Sequence, residues 1–218
     1  MATKDKMVLL EELAGKINPP GKGDEPLTGA FHYGSFNIGY KSIHVGDPCY
    51  NYVSHSVRNV ENGVWNTWGF EAAVEGWGNR IAFLVCLHQS VGKPVAALSW
   101  RHDGVVGVDS GQMGVYAHFP TSEEHDSFYD RYCEASNNRE TQGGQVGRSV
   151  VCSSGVGDGS YRVLTAKGGG RKVVGVIVDF GLSKLPKLTM REDLKALADE
   201  RLAKEMEKFV DGIPAEEV

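Results

Sequence analysis

Glycine punctuation constrains this chain more than any other feature. Of its 218 residues, 28 are glycine, nearly twice the roughly 7% usual in globular proteins. They recur at the ends of β-like runs, which predicts many tight turns, where glycine takes positive φ without strain. The densest case is residues 150–161, where Gly155, Gly157 and Gly159 separate two β-rich runs. The pattern there predicts a strand over 149–153, a hairpin turn over 154–159 and a strand over 160–166. A G-x-S-x-G elbow and a dinucleotide-binding glycine loop both open a helix. Neither fits glycines that lead into a strand.

The remaining chain reads as β-rich between two helical ends. An aromatic, roughly alternating run predicts a strand over 31–40, continued by 42–45 and ended by Gly46-Asp47-Pro48. Residues 51–62 read as a polar loop, and 64–76 as either a helical turn or a strand pair. Trp77-Gly78-Asn79-Arg80 reads as a turn. The unbroken apolar run 81–88 predicts a buried central strand. Further strands are expected over 95–100, 105–108 and 172–179, with hairpin turns over 101–104 and 167–171. Residues 123–135, capped by Ser122-Glu123-Glu124, predict a helix, and 137–147 a flexible loop. Leu9, Leu10, Leu13 and Ile17 fall at helical spacing over 4–18. Leu194, Leu197, Leu202, Met206 and Phe209 do so over 190–210, with Thr189 as N-cap.

These elements predict an α+β fold, β-rich, built mainly of antiparallel sheet in a sandwich- or barrel-like form, with an N-terminal and a C-terminal helix. Three segments follow: an N-terminal helix and linker over 1–30, a β-rich core domain over 31–188, and a C-terminal helix with acidic tail over 189–218. The chain is long enough for one sizeable core.

Charge and composition narrow the partners. A net charge of −5 without a clustered Lys/Arg patch argues against a nucleic-acid partner. No apolar run reaches the roughly 18 residues of a transmembrane helix, so no membrane partner is expected. The apolar residues 7–10 are too few for a signal-peptide core. Cys49, Cys86, Cys133 and Cys152 form no C-x-x-C pair, so free thiols in a cytoplasmic setting are expected. No particular cofactor or oligomeric state is implied.

Four aspartates stand out, because Asp47, Asp109, Asp158 and Asp179 each end or interrupt a β run beside Gly, Pro or an aromatic. Converging carboxylates hold a hard cation or form an acid–base pair. In isolation, an aspartate in a turn more often binds its own backbone. Cys49 and Cys152 are candidate nucleophiles only if His44, His88 or His118 lies beside them. Inside a β-branched run, Cys152 reads better as a small buried hydrophobe. The backbone amides of 155–159 are a candidate anion nest. Trp65, Trp68, Trp77 and Trp100 read as core, with one of them a candidate pocket wall.

Four motifs occur in order: Gly46-Asp47-Pro48-Cys49-Tyr50, Val108-Asp109-Ser110-Gly111-Gln112-Met113-Gly114, Ser153-Ser154-Gly155-Val156-Gly157-Asp158-Gly159-Ser160-Tyr161, and a closing Asp179-Phe180. Together they resemble a family of bacterial and phage proteins classed as a domain of unknown function, series four-two-four-one. The match spans roughly residues 43–181. Many relatives carry an aromatic where Val156 stands, and Ala or Thr in place of Ser110 and Gln112. The resemblance implies a β-rich fold and brings no catalytic residues.

The functional expectation is a binding module for a small molecule or a protein. Its polar site lies at Gly/Asp-rich strand ends and comprises Asp47, Asp109, Ser110, Ser154, Asp158 and Tyr161. One alternative is a hydrolase using paired aspartates, with or without a divalent metal. The other is a virion or assembly protein that uses its terminal helices.

Overall fold

The structure is a computed structural model that describes residue 25, residues 27–92 and residues 95–183. The helices expected over 4–18 and 190–210 lie outside the described residues. Eleven strands and one α-helix follow in order: β1 (Leu27–Ile38), β2 (Ser42–Gly46), β3 (His55–Arg58), β4 (Gly63–Val74), β5 (Gly78–His88), β6 (Trp100–Val108), β7 (Gln112–Tyr116), α1 (Ser122–Ser136), β8 (Gly143–Val146), β9 (Ser149–Ser153), β10 (Gly159–Lys167) and β11 (Val173–Asp179). They form a six-stranded sheet, β1-β4-β5-β11-β10-β6, and a five-stranded sheet, β3-β2-β7-β9-β8. Every strand pair is antiparallel. Neither sheet closes into a barrel.

Side-chain alternation assigns the faces. Along β9, Val150 and Cys152 join the large core shared with the six-stranded sheet. Val151, one residue out of phase, joins a second cluster with Tyr116, Tyr132 and Val146. Tyr132 belongs to α1, so the helix covers the outer face of the smaller sheet. The molecule is therefore layered as sheet, sheet and helix. β11 is buried at every position and β5 from Ile81 to His88. Successive residues of a strand point to opposite faces, so both faces of these two strands are covered. That is why the sequence there is apolar without alternation.

Several expectations are corrected. Residues 31–40 and 42–45 are not one strand. The chain turns at Lys41, which has φ 57°, and β2 joins the other sheet. Residues 64–74 belong to one long strand, β4, rather than to a helical turn or a strand pair, and the tight turn falls at Glu75-Gly76-Trp77 ahead of β5. Residues 95–100 are not a strand. A short 3-10 turn, Val95–Ala97, is closed by the Trp100 indole donating to the Val95 carbonyl at 2.6 Å. The expected loop 51–62 contains β3, the expected turn 101–104 lies inside β6, and the expected flexible loop 137–147 contains β8. All three are edge strands, where a solvated side tolerates polar residues and glycine. The N-cap of α1 is Thr121, one residue earlier than read, and the Glu124 carboxylate accepts from its amide and hydroxyl at 3.1 and 2.9 Å. The turn over 154–159 is not a hairpin either. β9 and β10 belong to different sheets, so this segment is a crossover between layers.

Edge strand β8 supplies a test. A Cβ added at Gly143 would lie 2.7 Å from the Val151 carbonyl oxygen and 2.8 Å from the Cys152 Cβ. A loop would absorb that methyl group, whereas a paired strand cannot. Gly143→Ala is expected to lose about 1–3 kcal/mol of stability, read from urea unfolding. An unchanged midpoint would show that β8 is not held against β9.

Candidate functional site

The site is built where two crossovers meet. The chain passes from the six-stranded to the five-stranded sheet through Asp109-Ser110-Gly111, and returns through residues 154–158. Asp47, at the end of β2, is completely buried and clamps the first crossover. Its carboxylate accepts from the Asp109 amide at 2.6 Å, the Ser110 amide at 2.9 Å, the Ser110 hydroxyl at 2.6 Å and the Cys49 amide at 2.8 Å. Burial alone would raise its pKa, but the donors from Asp109, Ser110 and Cys49 outweigh it and hold the carboxyl below its ordinary range. Pro48 fixes the turn that carries Cys49 back toward that carboxylate.

The second crossover is tied to the first. The Gly111 amide donates to Asp158 Oδ1 at 2.9 Å, and the Ser154 amide donates to the Gly111 carbonyl at 2.9 Å. Within the crossover, Gly157 N–H donates to the Ser154 carbonyl, and the Ser154 hydroxyl donates back to the Gly157 carbonyl at 2.8 Å. The buried Tyr161 hydroxyl lies 2.6 Å from the Gly157 carbonyl and 3.0 Å from that of Ser154. Gly155 has φ 57°, and a Cβ there would come 3.0 Å from the Phe180 Cβ, so this close approach needs glycine. Phe180 in turn meets the Tyr161 ring edge-on at 4.9 Å.

The sequence-predicted residues therefore divide. Asp47, Ser110, Ser154 and Tyr161 hold the junction. Asp109 and Asp158 are exposed on it and line a cleft of about 610 Å³ with Tyr50, Tyr52, Ser54 and Ser160. Asp179 is not part of this group. Its carboxylate pairs with Arg162 at 2.6 Å and accepts from the Gly181 amide at 2.8 Å. Among the described residues, no group of three or more His, Cys, Asp or Glu side chains is placed to hold a metal ion.

The nucleophile readings lose support. Cys152 is buried, and burial pushes its thiol pKa up. Burial and the neighbouring Asp47 carboxylate push Cys49 up to about 12, the opposite of what a thiolate nucleophile needs. Two of the three proposed bases are engaged elsewhere. His44 bonds the Ser56 hydroxyl at 2.9 Å, and His88 bonds Ser90 and the Asn62 carbonyl.

Tyr52 and Ser54 lie in a segment read only as a polar loop, and Tyr50 was read only as the end of the Asp47-Pro48 motif. The alternation Tyr50-Asn51-Tyr52, one residue after Asp47-Pro48, was the available signal. The two tyrosine rings stack at 5.1 Å, and Tyr52 is 56% exposed. The Tyr50 hydroxyl donates to Asp109 Oδ2 at 3.0 Å. That bond, with desolvation and the Asp109 charge, pushes the phenol up to about 12, so it stays protonated at neutral pH. His125 of α1 anchors the same segment, with Nε2 3.0 Å from both the Pro48 and Tyr50 carbonyls. Both partners are acceptors, so Nε2 carries the proton.

A second cleft, of about 700 Å³, lies on the other side of the 154–158 crossover and is lined by residues of the β4–β5 hairpin and the segment after α1. Trp65 and Trp68 are buried as expected, whereas Trp77 is 44% exposed on this cleft. No family model, curated protein or solved structure matches the chain.

Asp47 carries a pH signature. Its folded-state pKa is depressed, so the stability it contributes is complete above the unfolded carboxyl pKa near 3.9 and is lost as pH falls through the folded value. Asp47→Asn points an amide donor at existing donors and is expected to cost about 3 kcal/mol at pH 7. It is also expected to flatten the fall of Tm below pH 4. Unfolding curves of both proteins from pH 7 to pH 3 check this. Equal stability at neutral pH would remove Asp47 from its structural role.

Proposed function

We propose that the chain is a binding module whose cleft beside Asp109 and Asp158 takes a cationic group. The group is a small amine or the Lys or Arg side chain of a protein partner. The observation that carries this is the lining itself. Two exposed carboxylates face a stacked tyrosine pair, and among the described residues no Lys, Arg or His lines the cleft. Carboxylates supply charge-assisted hydrogen bonds, and tyrosine faces attract a cation by their quadrupole. Ser54 and Ser160 add hydroxyls that orient the ligand. The site rests on rigid strand ends held by Asp47 and Tyr161, which lowers the ordering cost of binding.

The four motifs read in the sequence build the loop junction beneath the cleft. The paired-aspartate hydrolase is the weaker reading. Asp47 spends its carboxylate on four backbone and side-chain donors, which leaves it no role as acid, base or metal ligand.

Calorimetric titration with putrescine, agmatine, spermidine and an arginine-rich peptide tests the proposal. Saturable binding that weakens with salt is expected. Asp109→Asn and Asp158→Asn should each weaken it by about tenfold or more, since the amide keeps the acceptor but loses the charge. Absence of binding to every amine and to the peptide would overturn it.

A further inference from the structure

The second cleft has the opposite electrical character. Among the described residues, Glu71 is the one acidic side chain lining it, and it is 4% exposed. Its carboxylate already accepts from the Thr28 hydroxyl at 3.3 Å, the Asn79 amide at 3.0 Å and the Gln142 amide at 3.1 Å. Its hydrogen-bonding capacity is spent on holding the floor together. Arg80 and Arg139 line the same cleft. Neither makes an ion pair among the described residues. Arg80 donates to the Asn79 carbonyl at 2.9 Å, and its guanidinium sits 5.9 Å from the centre of the Trp77 ring. The ring and the Asn79 carbonyl thus hold the cation in place with most of its donors unused. The amides of Gly155 and Val156, also in the lining, donate to no acceptor among the described residues.

We infer that this cleft binds a small organic anion, with a phosphate or carboxylate between Arg80 and Arg139 and a flat ring against Trp77. Guanidinium forks match the paired oxygens of either group. Backbone amides in a glycine turn add dipoles of the same sign. The exposed indole offers a large apolar face that a purely ionic ligand would leave unused. The site is separate from the amine cleft and stands or falls independently of it. The two lie on opposite sides of the 154–158 crossover, which places Gly155, Val156 and Gly157 on the anion side and Asp158 on the other.

The experiment is titration of the full chain with a nucleoside 5′-monophosphate, the matching uncharged nucleoside, benzoate and inorganic phosphate. It is read by calorimetry and by tryptophan fluorescence. The monophosphate or benzoate should bind at least tenfold more tightly than the nucleoside and quench fluorescence. Trp77→Phe should remove that quenching. Arg80→Gln and Arg139→Gln should each weaken binding about tenfold or more, while Arg→Lys at either position, which keeps the charge, should weaken it less. Circular dichroism of each variant confirms that it is folded. Two results would overturn the proposal: no preference for any anion over the nucleoside, or anion binding that survives both Arg→Gln substitutions.

Discussion

The fold depends on one buried carboxylate. Asp47 is removed from water, which costs several kcal/mol for an ion of that size unless its charge is met. Here it is met by three amides and a hydroxyl, two of the amides and the hydroxyl belonging to a single crossover. A turn such as Asp109-Ser110-Gly111 would otherwise bury donors with no partner, because it leaves one sheet before it joins the next. The carboxylate and the crossover therefore stabilise each other. Without the donors the charge is too costly, and without the charge the N–H groups are orphaned.

That clamp propagates. Gly111, the last residue of the first crossover, donates to Asp158 and accepts from Ser154 in the second. Tyr161 then seals the second crossover from within. The two sheets are thus cross-braced at one end by side chains and turn backbone, where no β-ladder could reach. The cleft walls inherit their position from this bracing. Asp109 and Asp158 are held by their own backbones, so their carboxylates face solvent without being recruited into the structure beyond the Tyr50 and Gly111 contacts.

The elements legible in the sequence are those whose environment is simple. The run 81–88 read correctly as a buried strand and 172–179 as a strand, because central strands covered on both faces are uniformly apolar. The helix after residue 121 read correctly as a helix, although its cap is Thr121 rather than Ser122. The missed strands β3 and β8, and the first half of β6, are all at sheet edges. There, His55, Arg101, His102, Asp103 and Gly144 satisfy local rules for loops while their backbones pair on one side only. Pairing is a property of the neighbour, and no window of sequence contains the neighbour.

The sequence by itself determined that glycine-rich turns would punctuate a β-rich chain, that Asp47, Asp109 and Asp158 would sit at strand ends, and that Cys152 would pack rather than react. Those conclusions follow from local backbone sterics and from the free energy of burying apolar side chains. Tertiary structure alone decided which aspartates are structural and which face a cleft, because that depends on donors 62 and 63 residues away in the chain. It also decided that residues 154–158 cross between sheets instead of closing a hairpin. Turn chemistry sets how sharply a chain bends, while the partner sheet on which the next strand finds its hydrogen bonds sets where it goes.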